Sequence, residues 1–150
     1  MIFDEIVTAV KTTDLQNLLN PLNQTLLQNR VHANLEKILP NMNWRSPHKF
    51  TRECRDEVDI YGTFSSEDGE GAVIIELDKW RADQVAKKFV SRFALTLEQP
   101  LIYIALCFGG TESMNKNECE KYFSYCNRIC NYFTQCNLRT PKQFYGHILR

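Results

Sequence analysis

Two acidic residues stand where an apolar segment of the chain ends. The segment 72–77 (AVIIEL) is almost continuously apolar except for Glu76, and Asp78 follows directly after it. Such a run predicts a strand buried on both faces, in which side chains two apart share a face, so we expect Glu76 and Asp78 to be neighbours. A carboxylate inside a buried strand does nothing for packing that leucine or valine would not do better. Glu76 therefore indicates chemistry.

A third carboxylate is expected to join them from the preceding strand. The segment 57–64 (EVDIYGTF) predicts a strand carrying Asp59, and the composition of 65–71 (SSEDGEG) predicts a hairpin loop. Neighbouring buried carboxylates repel one another, and a hard divalent cation bound by their oxygens removes that repulsion. We therefore predict that Asp59, Glu76 and Asp78 hold Mg²⁺, with Mn²⁺ as an alternative, although a single acid at a strand end is usually just solvated.

The surrounding elements predict an α/β fold for residues 1–150, taken as one domain with an N-terminal helical extension. Helical spacing of apolar residues predicts helices at 2–10, 15–22, 26–39, 81–95 and 117–133. Strands are predicted at 49–54, 57–64, 72–77 and 100–108. A helical crossover between the last two strands makes them parallel. A mixed four-stranded sheet flanked by helices follows, and the tail 136–150 favours no element.

This order of elements, with the carboxylates, resembles the PD-(D/E)XK nuclease superfamily, the restriction-endonuclease-like fold. The family core is a helix, a three-stranded meander, a helix and a strand (αβββαβ), often followed by a further helix. Its signature is an Asp on the second strand and (D/E)-x-K on the third. Here VDIYG supplies Asp59 and IELDK supplies Glu76. The resemblance covers roughly residues 26–133.

The sequence departs from the family pattern at two positions. Val58 precedes Asp59 where the family name has proline, and Asp78 occupies the lysine position two residues after Glu76. Lys79 lies one place further on and is expected on the opposite face of the strand. Some members of the family carry an acid at the lysine position. The resemblance thus leaves two alternatives: Asp78 acts as ligand or base, or a lysine, Lys79 or Lys88, reaches in from another backbone position.

The resemblance also implies roles for helical residues. Glu36 matches an acid on the first core helix that completes the metal site, with a solvent-facing side chain paired to Lys37 or Arg30 as the alternative.

On the helix 81–95, Gln84 and Lys88 match the position that contacts substrate phosphate. They belong to a polar, largely basic stripe, whose alternative is a solvated helix face, formed by Arg81, Gln84, Lys88 and Arg92. Arg81, Gln84 and Lys88 are the predicted substrate-binding residues.

Together these matches imply a Mg²⁺-dependent endonuclease or exonuclease that hydrolyses phosphodiester bonds, with DNA as the expected substrate. The cation would be held by Asp59, Glu76 and the Leu77 carbonyl, and a homodimer or a partner subunit would supply specificity. The displaced lysine supports a second hypothesis: a catalytically inactive nuclease-fold module that binds nucleic acid or a protein partner.

Composition bounds these hypotheses. With 18 basic and 18 acidic residues the net charge is zero, so we expect a local basic face rather than an overall positive charge. No segment approaches the roughly 20 apolar residues of a membrane span, and the N-terminal segment lacks the basic region of a signal peptide. A cytoplasmic location and no membrane association are expected.

The cysteines and tryptophans favour packing roles. Cys119, Cys126 and Cys130 share one face of a predicted helix and Cys136 follows, a spacing only loosely similar to iron–sulfur ligands in some family members. Core packing is the better interpretation, and an iron–sulfur cluster is not expected. Trp44 and Trp80 are able to stack on nucleobases, but such residues more often belong to the core or its rim.

Overall fold

The computed structural model describes residues 1–19, 21–53, 57–108 and 112–149. The helices in these ranges are α1 (Ile2–Lys11), α2 (Gln24–Ile38), α3 (Asp83–Leu95) and α4 (Lys116–Cys136), with a short 3₁₀ helix at Glu112–Met114. The strands are β1 (Asn43–Arg45), β2 (His48–Lys49), β3 (Glu57–Val58), β4 (Ile60–Ser66), β5 (Gly69–Asp78), β6 (Leu101–Phe108) and β7 (Lys142–Leu149). Across the described ranges, every helix is too short or too polar to cross a bilayer.

The main sheet is mixed and has five strands in the order β1-β4-β5-β6-β7. Strands β1, β4 and β5 form an antiparallel meander, whereas β5, β6 and β7 run parallel. Helix α3 connects β5 to β6 and α4 connects β6 to β7, which are the long connections that parallel neighbours require. The protein is therefore a mixed α/β protein, as predicted.

The prediction of four strands is wrong, because the main sheet has five and neither β1 nor β7 is among the predicted strands. The unassigned tail contains β7, which pairs with β6 from Leu101–Lys142 to Phe108–Leu149. Its sequence, KQFYGHIL, begins with a lysine and lacks a clear apolar alternation, so its pairing depends on the edge that β6 offers rather than on its own pattern.

Two other predicted elements differ from the structure. The segment 49–54 yields only the short β2, which pairs with β3 in a separate two-stranded sheet; residue 54 lies outside the described residues. The described residues of the segment 15–22, which leave out residue 20, form turns and an isolated bridge between Leu19 and Leu22 instead of a helix. Leu18 is nevertheless buried, so the apolar spacing there reflects packing against the core.

The main sheet is buried on both faces. On β5, Val73, Ile75 and Leu77 belong to the core that includes α1 and α2. The alternating residues Ala72 and Ile74 belong to the core that includes α3 and α4. This confirms the prediction that 72–77 is a strand covered on both sides. The next alternating positions, Glu76 and Asp78, therefore turn toward α3.

The α4 cysteines pack as predicted, with one exception. Cys119, Cys126 and Cys130 are buried in the core between α4 and the sheet. Cys136, at the end of the helix, is exposed.

Helix α4 begins at a capping residue. The Asn115 side chain caps this helix by accepting a hydrogen bond from the Glu118 amide at 2.9 Å.

Candidate active site

Glu76 and Asp78 meet a lysine that comes from α3. Both carboxylates are buried, Glu76 with 1% of its surface exposed. The Lys88 Nζ atom lies 3.0 Å from Asp78 Oδ1 and 3.4 Å from Glu76 Oε2. It also donates a hydrogen bond to the Leu77 carbonyl oxygen at 3.1 Å. An ammonium group thus reaches the end of β5 from a helix that follows the strand in the chain.

A second cation, Arg92, approaches Glu76 from the same helix. Its Nε donates to Glu76 Oε1 at 3.2 Å, and its Nη2 donates to the Glu57 carbonyl at 3.0 Å. The residue is buried, so its interpretation as part of a solvated stripe is wrong. Its i+4 spacing from Lys88 was the available signal, because residues four apart on a helix share a face.

Asp59 joins the end of β5 through the backbone. It lies between β3 and β4, at a break in the strand that the sequence predicted as continuous. Its Oδ2 accepts a hydrogen bond from the Leu77 amide at 2.7 Å. The Gln28 side chain, from α2, donates to the Asp59 carbonyl at 2.8 Å. Nothing in the sequence distinguished Gln28 from the other glutamines of the chain.

The electrostatics of the cluster are dominated by burial. Burial raises the pKa of Glu76 to about 7, Asp59 adds to the rise, and Lys88 and Arg92 oppose it only in part. Burial likewise raises the pKa of Asp78, against the influence of Lys88. For Lys88, burial alone would lower the pKa, but the carboxylates of Asp78 and Glu76 outweigh it and the pKa is raised.

Among the described residues, two buried carboxylate oxygens of the cluster, Glu76 Oε2 and Asp78 Oδ2, accept no hydrogen bond, although Glu76 Oε2 is ion-paired with Lys88 at 3.4 Å. The hydroxyl of Tyr103, on the adjacent strand, also has no hydrogen-bond partner among these residues. The three carboxylates of Asp59, Glu76 and Asp78 face two cations, so the fully ionised cluster is negatively charged. Unsatisfied carboxylate oxygens in excess of local positive charge fit a hard cation.

The donor set available to such a cation is small. Among the residues that the structure describes, no group of three or more His, Cys, Asp or Glu side chains is arranged to hold a metal ion. Mg²⁺ is usually bound by one or two carboxylates and keeps several waters. Glu76 and Asp78, with the neighbouring Leu77 carbonyl, therefore match Mg²⁺ better than a metal that needs a complete protein cage.

A cleft of about 370 Å³ opens beside the cluster and is lined by all three predicted substrate-binding residues. Its lining comprises Gln24, Leu77, Asp78, Lys79, Trp80, Arg81, Gln84 and Lys88. A second cleft of about 500 Å³, at the start of α2, shares Gln24 and Lys79 with the first. The two clefts therefore adjoin and pass the end of β5.

Lys79 and Glu36 do not join the carboxylates. The Lys79 Nζ lies 5.0 Å from the ring centroid of Trp80, at the rim of the cleft. Glu36 is exposed and its Oε1 lies 2.9 Å from His32 Nε2, rather than near Lys37 or Arg30. None of the hydrogen bonds or ion pairs of the described residues links Glu36 to the end of β5.

The structure thus separates the predicted residues into groups. Those at the end of β5 are Asp59, Glu76 and Asp78, joined there by Lys88 and by the unpredicted Arg92 and Gln28. Lys79, Arg81 and Gln84 line the cleft, Arg81 being paired with Asp83 at 2.6 Å, and Glu36 stands apart. No family model matches the chain, and no curated protein is significantly similar to it.

Proposed function

We propose that the protein is a Mg²⁺-dependent nuclease of the PD-(D/E)XK type that hydrolyses phosphodiester bonds in DNA. The position of Lys88 carries the proposal: its Nζ lies 3.0 Å from Asp78 and 3.1 Å from the Leu77 carbonyl. An ammonium group beside the strand-end carboxylates is what the family obtains from a lysine on the strand itself. Here a helix residue supplies the same group.

The order of elements gives further support. Helix α2 is followed by the meander β1–β4–β5, then α3 and the parallel strand β6. This succession agrees with the core that the resemblance implies. The cleft, which is lined by Asp78 and Lys88, agrees with a substrate that reaches this side of the cluster from solvent.

The residues that would hold the ion are Glu76 and Asp78, with Asp59 and the Leu77 carbonyl beside them. Their fit rests on two buried carboxylate oxygens, Glu76 Oε2 and Asp78 Oδ2, that accept no hydrogen bond from the described residues. When bound, Mg²⁺ supplies a water of lowered pKa and stabilises negative charge on the phosphoryl oxygens.

The chain's own residues then have distinct tasks. Lys88 orients the attacking water and balances the charge that develops on the phosphate. Asp78, whose pKa is raised by burial, would either complete the ligand shell of the ion or accept the proton of that water. Arg92 holds Glu76 in place through its 3.2 Å hydrogen bond, and the Leu77 amide holds Asp59. Arg81 and Gln84, on the cleft wall, contact the neighbouring phosphates.

The test compares Lys88 with the residue next to it. Lys87 is exposed on the same helix, so Lys87→Met is a matched control for Lys88→Met. Cleavage of plasmid DNA and labelled oligonucleotides is measured with Mg²⁺, with Mn²⁺ and with a chelator. We expect metal-dependent cleavage that Lys88→Met lowers by about 10²-fold or more and Lys87→Met leaves unchanged.

Folding and metal binding are controlled separately. Activities are compared at a temperature at which circular dichroism shows each variant folded, and Lys88→Arg, which keeps a cation, serves as the milder replacement. A rise in melting temperature with Mn²⁺ that Glu76→Ala abolishes reports metal binding. The nuclease proposal fails if the wild-type protein cleaves no DNA under any of these conditions, and a Mn²⁺-linked rise in melting temperature without cleavage would leave only a metal-binding domain.

A second function is favoured by the same ion pairs. Lys88 already bonds the Leu77 carbonyl and pairs with both carboxylates, so the cluster holds an internal cation. On this account the domain keeps the nuclease fold but binds nucleic acid, or a protein partner, without cutting it. Oligonucleotide binding with no cleavage under any divalent cation would favour this alternative over the first.

A further inference from the structure

Trp80 is an exposed aromatic residue at the rim of the candidate active site. It lines the same cleft as Asp78 and Lys88, and 70% of its surface is accessible. The other tryptophan, Trp44, is only 7% accessible and belongs to the core. Trp80 therefore contributes little to packing, and its indole is available to a ligand in the cleft.

Cations accompany this indole. The Lys79 Nζ lies 5.0 Å from the ring centroid, and Arg81 lines the same cleft. Lys79 also lines the adjoining cleft at the start of α2, so this cation stands where the two clefts meet beside Trp80, while Arg81 is paired with Asp83 at 2.6 Å. An aromatic platform flanked by cations is the combination with which proteins bind single-stranded nucleic acids, because bases stack on the ring while cations meet the phosphates.

We infer that Trp80 stacks on an unpaired nucleobase next to the phosphate in the cleft, and that the substrate class is single-stranded DNA, including unpaired ends. Inside a duplex both faces of each internal base are already stacked, so an indole at the rim of the cleft stacks on an internal base only where that base is unpaired. The assignment of this strand as a substrate rests on the proposed nuclease function. The stacking itself is a binding property and is tested without cleavage.

Binding is measured with a labelled oligothymidine in the presence of a chelator, so that no cleavage occurs. Fluorescence anisotropy gives the affinity, and tryptophan emission reports contact with Trp80 while the buried Trp44 gives a constant background. We expect Trp80→Ala to weaken single-strand binding about 5- to 150-fold, the range for loss of one base–aromatic stack. Trp80→Phe, which keeps an aromatic face, should restore most of the affinity.

A matched control is available on α4. Tyr132 is 65% exposed and lies in a different surface cleft, so Tyr132→Ala removes an accessible aromatic ring of similar exposure. We expect it to leave single-strand binding unchanged. A duplex of the same length should bind more weakly than the single strand and should be insensitive to Trp80→Ala.

An abasic strand separates stacking from charge. It keeps the phosphates but has no bases, so Trp80→Ala should not weaken its binding further. The affinity lost on removing the bases and the affinity lost on removing the indole should therefore be non-additive. The inference is overturned if Trp80→Ala leaves the affinity for oligothymidine unchanged, weakens abasic and normal strands equally, or has no more effect than Tyr132→Ala. Trp80-dependent single-strand binding without any cleavage would support stacking while removing the nuclease proposal. Cleavage with no strand preference would overturn the inference and keep the nuclease.

Discussion

The Nζ atom of Lys88 lies 3.0 Å from Oδ1 of Asp78, which joins the middle of α3 to the last residue of β5. The lysine side chain is 27% exposed and the aspartate is buried, so the pair has one side in the protein and the other in the cleft. One contact therefore fastens the strand end to the helix and presents a cation to whatever enters the cleft.

Replacing Lys88 with methionine should destabilise the metal-free protein. The change keeps the approximate length of the side chain but removes the cation nearest to Asp78 and leaves Glu76 with Arg92 as its remaining ion-pair partner. We expect the free energy of unfolding to fall by about 2–3 kcal/mol, less than for a fully buried pair because the lysine is partly solvated. Urea unfolding measures the loss. Lys87→Met should change stability by less than about 0.5 kcal/mol, and an equal loss in both variants would contradict the role given to Lys88.

The Lys88–Asp78 contact should appear as a coupling energy. In a double-mutant cycle with Lys88→Met and Asp78→Asn, the combined variant should be more stable than the sum of the single losses predicts, by about 1 kcal/mol or more. The second change removes the buried charge that the first leaves unpaired. For comparison, Asp83 pairs with Arg81 at the surface, so Lys88→Met with Asp83→Asn should be additive. Additivity in the Asp78 cycle would exclude the ion pair as an energetic contact.

Stability should fall with pH between about 5 and 8 because of Glu76. Its pKa rises from 4.5 in the unfolded chain to about 7 in the folded protein, so the folded state binds the proton more tightly. The stabilising contribution of the protonated carboxyl is therefore complete below the unfolded pKa of 4.5 and is lost as pH rises through the folded pKa of about 7. The loss is on the order of 3 kcal/mol.

Glu76→Gln should remove this part of the pH dependence. The glutamine side chain is uncharged at every pH. In the presence of a chelator, the free energy of unfolding of the variant relative to the wild type should therefore increase between pH 5 and pH 8. Chemical denaturation at several pH values measures the difference. Glu70→Gln, an exposed position on the same strand, should follow the wild-type curve. If Glu76→Gln follows it too, Glu76 does not titrate in the folded protein as stated.

Lys142, outside the candidate active site, should stabilise the turn that follows α3. Its buried ammonium group donates hydrogen bonds to the carbonyls of Thr96 and Leu97, each at 2.8 Å, and to that of Gln99. Lys142→Met would leave these carbonyls without their donor, so we expect a loss of at least about 2 kcal/mol. Hydrogen exchange should accelerate at the end of α3. The exposed Lys37→Met is the control, and a similarly small effect at Lys142 would contradict this contact.

Part of the site follows from local sequence pattern. Glu76 interrupts a strand that is otherwise apolar, and the period of two places Asp78 on the same face, so their juxtaposition needs no knowledge of the fold. Asp59 requires one further step, the hairpin between β4 and β5, which the loop composition predicts. The break before β4 that turns its carboxylate to the Leu77 amide does not follow from the sequence.

The contacts of the α3 residues do not follow from the sequence, because periodicity shows which residues share a helix face and not what that face contacts. Lys88 and Arg92 lie four apart on a polar stripe, a pattern that fits solvent and a strand end equally well. The packing of α3 against β5 decided between them, burying Arg92 and half-burying Lys88. Strand β7 does not follow from the sequence for a related reason. Its residue pattern is explained only by its pairing with β6 and by the hydrogen bonds of Lys142 to the turn after α3.

The sequence by itself therefore determined the buried central strand, its paired carboxylates and the helical crossover that follows it, because these depend on residues close together in the chain. Only the tertiary structure decided which cation meets the carboxylates. That choice depends on where α3 packs on the sheet, and it puts Lys88, rather than a lysine on the strand or Lys79, beside Asp78.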